Sequence, residues 1–168
     1  MKKTSSERDP QAVTKLHQLV DEISVAMVTT VTPDGTLRAR PMFTSRMEED
    51  GHIWFFLSDD SGMAQDLAAE AGVNVTYSDP RRDRYVSVTG NASIEHERTK
   101  LKEMWDAKLA RYFPKGLDDP HLALLSVRIE FAEFWDHTTS RMKPVEGHAK
   151  QEAGDHTKVD IRAARASG

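Results

Sequence analysis

The strongest constraint on the fold lies in residues 24–46. Ser24 to Thr32 is β-branched and carries apolar residues on both faces, the pattern of a strand buried on both sides. Pro33-Asp34-Gly35 follows; proline presets φ, and glycine supplies the positive φ of a tight turn. Residues 36–46 then return as a partner strand, so the chain commits early to an antiparallel hairpin. Pro41 has no N–H and must sit at an edge or a bulge of that strand.

The remaining segments extend this start. Asp9 as N-cap, Pro10 in the first turn, and Val13, Leu16, Leu19, Val20 and Ile23 at helical spacing predict a helix over 10–22. A turn at Glu48–Gly51 leads into the strongly apolar strand His52–Ser58, which completes a meander. Ser58-Asp59-Asp60-Ser61-Gly62 breaks that strand, and Ala64, Leu67, Ala68 and Ala71 predict a short helix closed by Gly72. Val73–Ser78 and Arg84–Ile94 read as a fourth and a fifth strand, with Gly90 at a bulge. Residues 97–113 read as the clearest helix, with Leu101, Met104, Trp105, Leu109, Tyr112 and Phe113 on one face and Pro114 as its stop. Leu122–Phe131 and Glu133–His137 read as a last pair of strands. Six or seven strands in hairpins with singly inserted helices predict a mainly β fold, an antiparallel β-barrel with peripheral helices. An α+β sandwich is the competing architecture. The expected division is a flexible N-terminus over 1–9, one domain over 10–142, and a polar C-terminal tail over 143–168. In that tail, Val159-Asp160-Ile161 is the only segment apolar enough to dock.

Composition excludes several classes. A net charge of −4 argues against a general nucleic-acid binder, which needs basic excess to neutralise phosphates. The chain has no cysteine, hence no disulfide framework, thiolate metal site or cysteine nucleophile. A cytoplasmic location is expected. The basic start Met1-Lys2-Lys3 is not followed by an apolar run, so no signal peptide is expected, and no run approaches the ~20 residues of a spanning helix.

Candidate chemistry is sparse. None of the seven histidines (His17, His52, His96, His121, His137, His148 and His156) falls in an H-x3-H or H-E-x-x-H spacing, so no metal site is expected. No G-x-S-x-G elbow is present, and nothing in the sequence supports a Ser-His-Asp triad. An anion site has better support. A phosphomonoester needs N–H donors, hydroxyls and a cation together. Ser58 and Ser61 flank a helix start, and Arg38 and Arg40 lie two apart on a nearby strand, facing the same way. The plainer reading makes Ser61 a helix cap and pairs the arginines with Asp59 or Asp60. Local features alone favour it about two to one.

A resemblance shifts that balance. Arg38-Ala-Arg-Pro-Met42, Trp54-Phe-Phe-Leu-Ser-Asp-Asp-Ser61, Arg84-Tyr-Val-Ser-Val-Thr-Gly90 and Glu133-Phe-Trp135, in this order, resemble the pyridoxamine 5′-phosphate oxidase-like family. Leu101-Lys-Glu-Met-Trp105, with Tyr112-Phe-Pro114 and Asp118-Asp-Pro120, is similar to its general stress protein branch. The likeness covers residues 10–142. It implies a split β-barrel that forms a homodimer and binds FMN at the subunit interface, with FAD as a second candidate. It implies that Arg38, Ala39, Arg40, Pro41 and Met42 run along the flavin and its ribityl phosphate. Leu57, Ser58, Ser61, Gly62 and Met63 correspond to the phosphate-holding segment. Tyr85 falls near the flavin, Trp135 falls where the family uses a tryptophan of the partner subunit, and Trp105 approaches the site. The family's basic residues at the helix start are replaced by Gly62-Met63. The oxidases' Arg-x-His signature is absent, with only Arg141 in that region, which argues against pyridoxamine phosphate oxidation. The expected function is an FMN-binding stress-related protein with flavin-dependent oxidoreductase chemistry on an unassigned substrate; no catalytic acid or base is assigned. The alternative is a non-catalytic dimeric module of the same fold, without flavin or with another planar ligand such as FAD, a deazaflavin or haem.

Overall fold

The computed structural model describes residues 10–136 and the backbone of the strand at 156–160. Its elements run α1 (Pro10–Ile23), β1 (Val25–Val31), β2 (Leu37–Met47), β3 (His52–Ser58), α2 (Gly62–Ala69), β4 (Gly72–Asp79), β5 (Arg84–Glu95), α3 (Arg98–Met104), β6 (Leu122–Asp136) and β7 (His156–Asp160). The sheet order is β3-β2-β1-β4-β5-β6-β7, all antiparallel, and β3 also pairs with β6. That last pairing closes six strands into a barrel, and the sandwich alternative is set aside. Asp9, the expected N-cap, lies outside the described residues, as do His137 and the Arg141 region.

The barrel is split because two strands change partners along their length. β2 pairs with β1 over Leu37–Phe43 but reaches β3 only from Thr44 to Met47, across a register shift. β6 pairs with β5 along its length; its other edge holds β3 from Leu122 to Arg128 and β7 from Phe131 to Trp135. The first half of β2 is therefore an edge, and Pro41, opposite Met27, needs no donor on its free side. α1 packs against β2, β4, β5 and β7. Its Leu16, Leu19 and Val20 are fully buried, and Lys15 Nζ lies 2.6 Å from Asp136 at the end of β6.

The register explains the core. Val28, Val75, Val88 and Ala132 occupy one row across β1, β4, β5 and β6, and all four are fully buried. Ala26, Tyr77, Val86 and Phe134 form the next row. β3 is apolar on both faces because it serves two cores: Ile53, Phe55 and Leu57 join the barrel interior, while Trp54 and Phe56 pack with Leu101, Met104, Leu109, Leu122 and Leu124 beneath α3.

Three expectations are corrected. The helix over 97–113 is two pieces: α3 ends at Met104, Trp105 is extended (φ −63°, ψ 129°), and a 3₁₀ segment Ala107–Arg111 restarts with the Asp106 side chain accepting from Lys108 N. Trp105 leaves the helix to meet Phe56 edge-on at 5.6 Å. The expected last pair of strands is one strand, because Ala132 is small enough to sit fully buried opposite Val88 without breaking the ladder. α2 ends at Ala69 with Glu70 as its C-cap, and Gly72 opens β4 instead of capping the helix. Gly90 does mark a bulge: the β5–β6 register shifts between Thr89 and Gly90, and a Cβ there would stand 2.4 Å from the Arg128 carbonyl oxygen.

Candidate functional site

The alternation of β2 divides the arginine stretch between two faces. Arg40 stands opposite buried Val28, Arg38 opposite buried Thr30, and Met42 opposite Ala26, so these three share the face that turns toward the interior and α2. Ala39 and Pro41 point to the outer face and are exposed. Arg40 would extend the Val28–Val75–Val88–Ala132 row, but here β2 has no β3 neighbour and α2 covers the position. Its Nη1 donates to Thr30 Oγ1 at 2.8 Å and its Nη2 to Asp66 Oδ2 at 2.8 Å. The Arg40 hydrogen bond, ahead of one from Thr30, holds the Asp66 carboxyl below its usual range. Arg38 is exposed and makes no hydrogen bond or ion pair with the described residues. Thus neither arginine pairs with Asp59 or Asp60.

The β3–α2 junction lies beside Arg40. A Cβ on Gly62 would meet Arg40 Nη2 at 3.8 Å and nothing nearer. Ser61 is the N-cap of α2, its hydroxyl accepting from Ala64 N at 3.2 Å. The Ser58 hydroxyl donates to Asp60 Oδ1 at 2.5 Å. Leu57 and Met63 are buried in the barrel core, and Met42 is packed against it. The arrangement brings together a guanidinium edge, an exposed second arginine and the N-terminal end of a helix, which together suit an anion.

Sequence spacing missed one cluster here, because its members come from three distant segments. Asp59 takes His96 Nε2 at 2.9 Å and His121 Nδ1 at 2.8 Å, and His121 Nε2 lies 3.9 Å from Asp60 Oδ2. Asp59, Asp60 and His121 are close enough to share a cation. Hydrogen bonds from His121 and then His96 lower the Asp59 pKa; the bond to Asp59 and then the Asp60 charge raise that of His121. The two aspartates are therefore partly screened from an anion at Ser61.

The aromatic candidates lie elsewhere. Tyr85 and Trp135 are direct partners across β5 and β6. They belong to the outer row Ser78–Tyr85–Trp135 across β4, β5 and β6, and Val25 and Phe43 are partners on the outer face of β1 and β2. This outer face is apolar and open over β1 and β2: Val25, Met27, Leu37 and Phe43 are 44%, 40%, 70% and 38% exposed. Trp105 belongs to a third place, a groove of about 350 Å³ between the Phe43–Arg46 stretch of β2 and the Glu103–Tyr112 segment. Arg46 spans that groove to Glu103 at 2.9 Å.

The chain belongs to the pyridoxamine 5′-phosphate oxidase-like family, whose model matches residues 11–160. Among solved structures it is similar to a Clostridium acetobutylicum protein related to general stress protein 26, at TM-score 0.71 and 18% identity, covering 91% of this chain and 96% of that one. General stress protein 26 of Bacillus anthracis aligns at TM-score 0.67 and 19% identity, over 74% and 93% of the two chains. The general stress FMN/FAD binding protein of Xanthomonas citri aligns at TM-score 0.64 and 26% identity, over 80% and 94%. No curated protein matches the chain at a significant level. No described helix is long and apolar enough to cross a membrane.

Proposed function

We propose that this chain is a dimeric flavin-binding protein that holds FMN, with FAD as second candidate, and supports flavin redox chemistry. The observation that carries this reading is the approach of Arg40 to Gly62: a guanidinium lies at the start of α2, with the exposed Arg38 next to it on the same face of β2. The residues fit a ribityl phosphate. Arg38 supplies charge, Arg40 supplies directed N–H groups, and the first amides of α2 add the positive end of a helix dipole. The lack of a side chain at Gly62 leaves that surface open.

The planar part of the cofactor needs a wall that one protomer lacks beside Arg38 and Arg40. The exposed Val25–Met27–Leu37–Phe43 face supports a second copy as its source, since an exposed apolar stripe of this kind marks an interface. Tyr85 and Trp135 lie on the continuation of that face and are suited to reach a flavin held by the partner. The groove at Trp105 offers room for a substrate. When bound, the flavin supplies hydride and electron transfer; the chain binds, orients and shields it.

The test is to purify the protein, record its visible spectrum and identify any released ligand by mass. A flavin spectrum, or uptake of added FMN, is expected. A colourless protein that ignores added FMN would reject the reading, and a Soret band would replace flavin by haem.

A further inference from the structure

We infer that Asp66 and Thr30 are positioning residues for the anion site: together they clamp one edge of the Arg40 guanidinium and turn its other edge to a ligand at the start of α2. This inference rests on the flavin reading above and assigns residues that the sequence did not single out.

Three bonds close a triangle. Arg40 Nη1 donates to Thr30 Oγ1 at 2.8 Å, Arg40 Nη2 donates to Asp66 Oδ2 at 2.8 Å, and Thr30 Oγ1 donates to the same Asp66 oxygen at 2.9 Å. Thr30 is fully buried and Asp66 is 4% exposed, whereas the Arg40 side chain keeps 24% of its surface. The three residues come from β1, β2 and α2, so the clamp fixes the helix start relative to the strand edge. Two of the five N–H groups of an arginine are used inward, and Nη2, the Arg40 nitrogen nearest Gly62, keeps a second N–H.

Stability alone gives this triangle little reason to exist. An apolar side chain at position 40 would continue the Val28–Val75–Val88–Ala132 row, and a buried ion pair rarely outperforms such packing. Position is what it provides, because a planar guanidinium held at two nitrogens has its remaining N–H groups fixed in direction. The charges then divide the work. Asp66 offsets Arg40, so Arg38 supplies the net positive charge, and Arg40 supplies geometry.

The sign of one substitution separates this account from simple electrostatics. Asp66→Asn removes a negative charge close to the anion. If only charge mattered, FMN would bind more tightly. With the clamp, Asp66→Asn weakens FMN about tenfold, and riboflavin, which lacks the phosphate, binds as it does to the wild type. Thr30→Val keeps every charge and the shape but loses one bond; it lowers FMN affinity several-fold, again without effect on riboflavin, and it decides the matter if Asp66→Asn fails to fold. Unchanged or tighter FMN binding, or equal losses for FMN and riboflavin, overturns the clamp. If the wild type takes up neither flavin, the flavin reading fails and the clamp is judged with inorganic phosphate alone. Arg40 side-chain NMR signals that respond to phosphate in the wild type and not in Asp66→Asn support it, and signals that ignore phosphate in both reject it.

Discussion

At the scale of single residues, the candidate site is a matter of which charges are already taken. Arg40 is committed to Asp66 and Thr30, Arg46 to Glu103, and Asp59 to His96 and His121, whereas Arg38 makes no hydrogen bond or ion pair among the described residues. The Asp59–His121 pair carries a pH dependence. Its bond to Asp59 raises the His121 pKa above the ordinary 6.5, so the protonated ring favours the folded state. This contribution is complete below that ordinary value and fades as the pH rises through the raised one. Chemical denaturation across about pH 6 to 8 should show wild-type stability falling relative to Asp59→Asn, and the His121 ring should titrate above its value in that variant. Parallel pH profiles for the two proteins would contradict the pairing. Position 40 was legible as an anion candidate from Arg38-Ala39-Arg40, since two residues of strand repeat put both arginines on one face. Its partner was not legible: Asp66 sits 26 residues on, in a helix that reads as merely apolar.

At the scale of elements, strand patterns were readable wherever local chemistry fixed them. Pro33-Asp34-Gly35 set the β1–β2 turn, with Gly35 at φ 84°; Pro41 marked the free edge; Gly90 marked the bulge. What escaped was decided by distant packing. Trp105 leaves its helix for Phe56, far back in the sequence on β3, and Ala132 continues β6 because Val88 fills the space beside it. Of the Val159-Asp160-Ile161 segment expected to dock, Val159 and Asp160 lie in the strand His156–Asp160 alongside β6, and Ile161 lies outside the described residues. The bulge gives a direct test. Gly90→Ala would press a methyl carbon into the Arg128 carbonyl at 2.4 Å, and backbone cannot yield as a flexible side chain can. Overpacking of this kind costs about 1–3 kcal/mol, so the denaturation midpoint should drop with the slope unchanged. A midpoint equal to that of the wild type would show that β5 and β6 have more freedom at the bulge than this structure gives them.

At the scale of the whole molecule, the two parts of the proposed flavin site lie on different faces of the chain. The proposed anion-binding edge lies on β2 and α2, while Tyr85 and Trp135 lie on the outer face of β5 and β6. A second copy on the apolar outer face would bring such halves together. Sedimentation should therefore give a dimer, and Met27→Lys, placing a charge in the middle of that face, should shift it toward monomer and reduce FMN uptake with the thermal midpoint preserved. A wild-type monomer that binds FMN fully would contradict the shared site. The proposed function places a phosphate-bearing flavin at the open edge of β2. A fluorescence titration of FMN into the wild type, Arg38→Ala and Arg98→Ala tests it most directly, since both arginines are exposed and only the first lies beside Arg40. Losing a charged hydrogen bond of about 1.5–3 kcal/mol corresponds to a loss of affinity on the order of tenfold to a hundredfold. The account predicts that loss for Arg38→Ala and wild-type binding for Arg98→Ala; no FMN uptake by the wild type, or equal affinity in all three proteins, would contradict it.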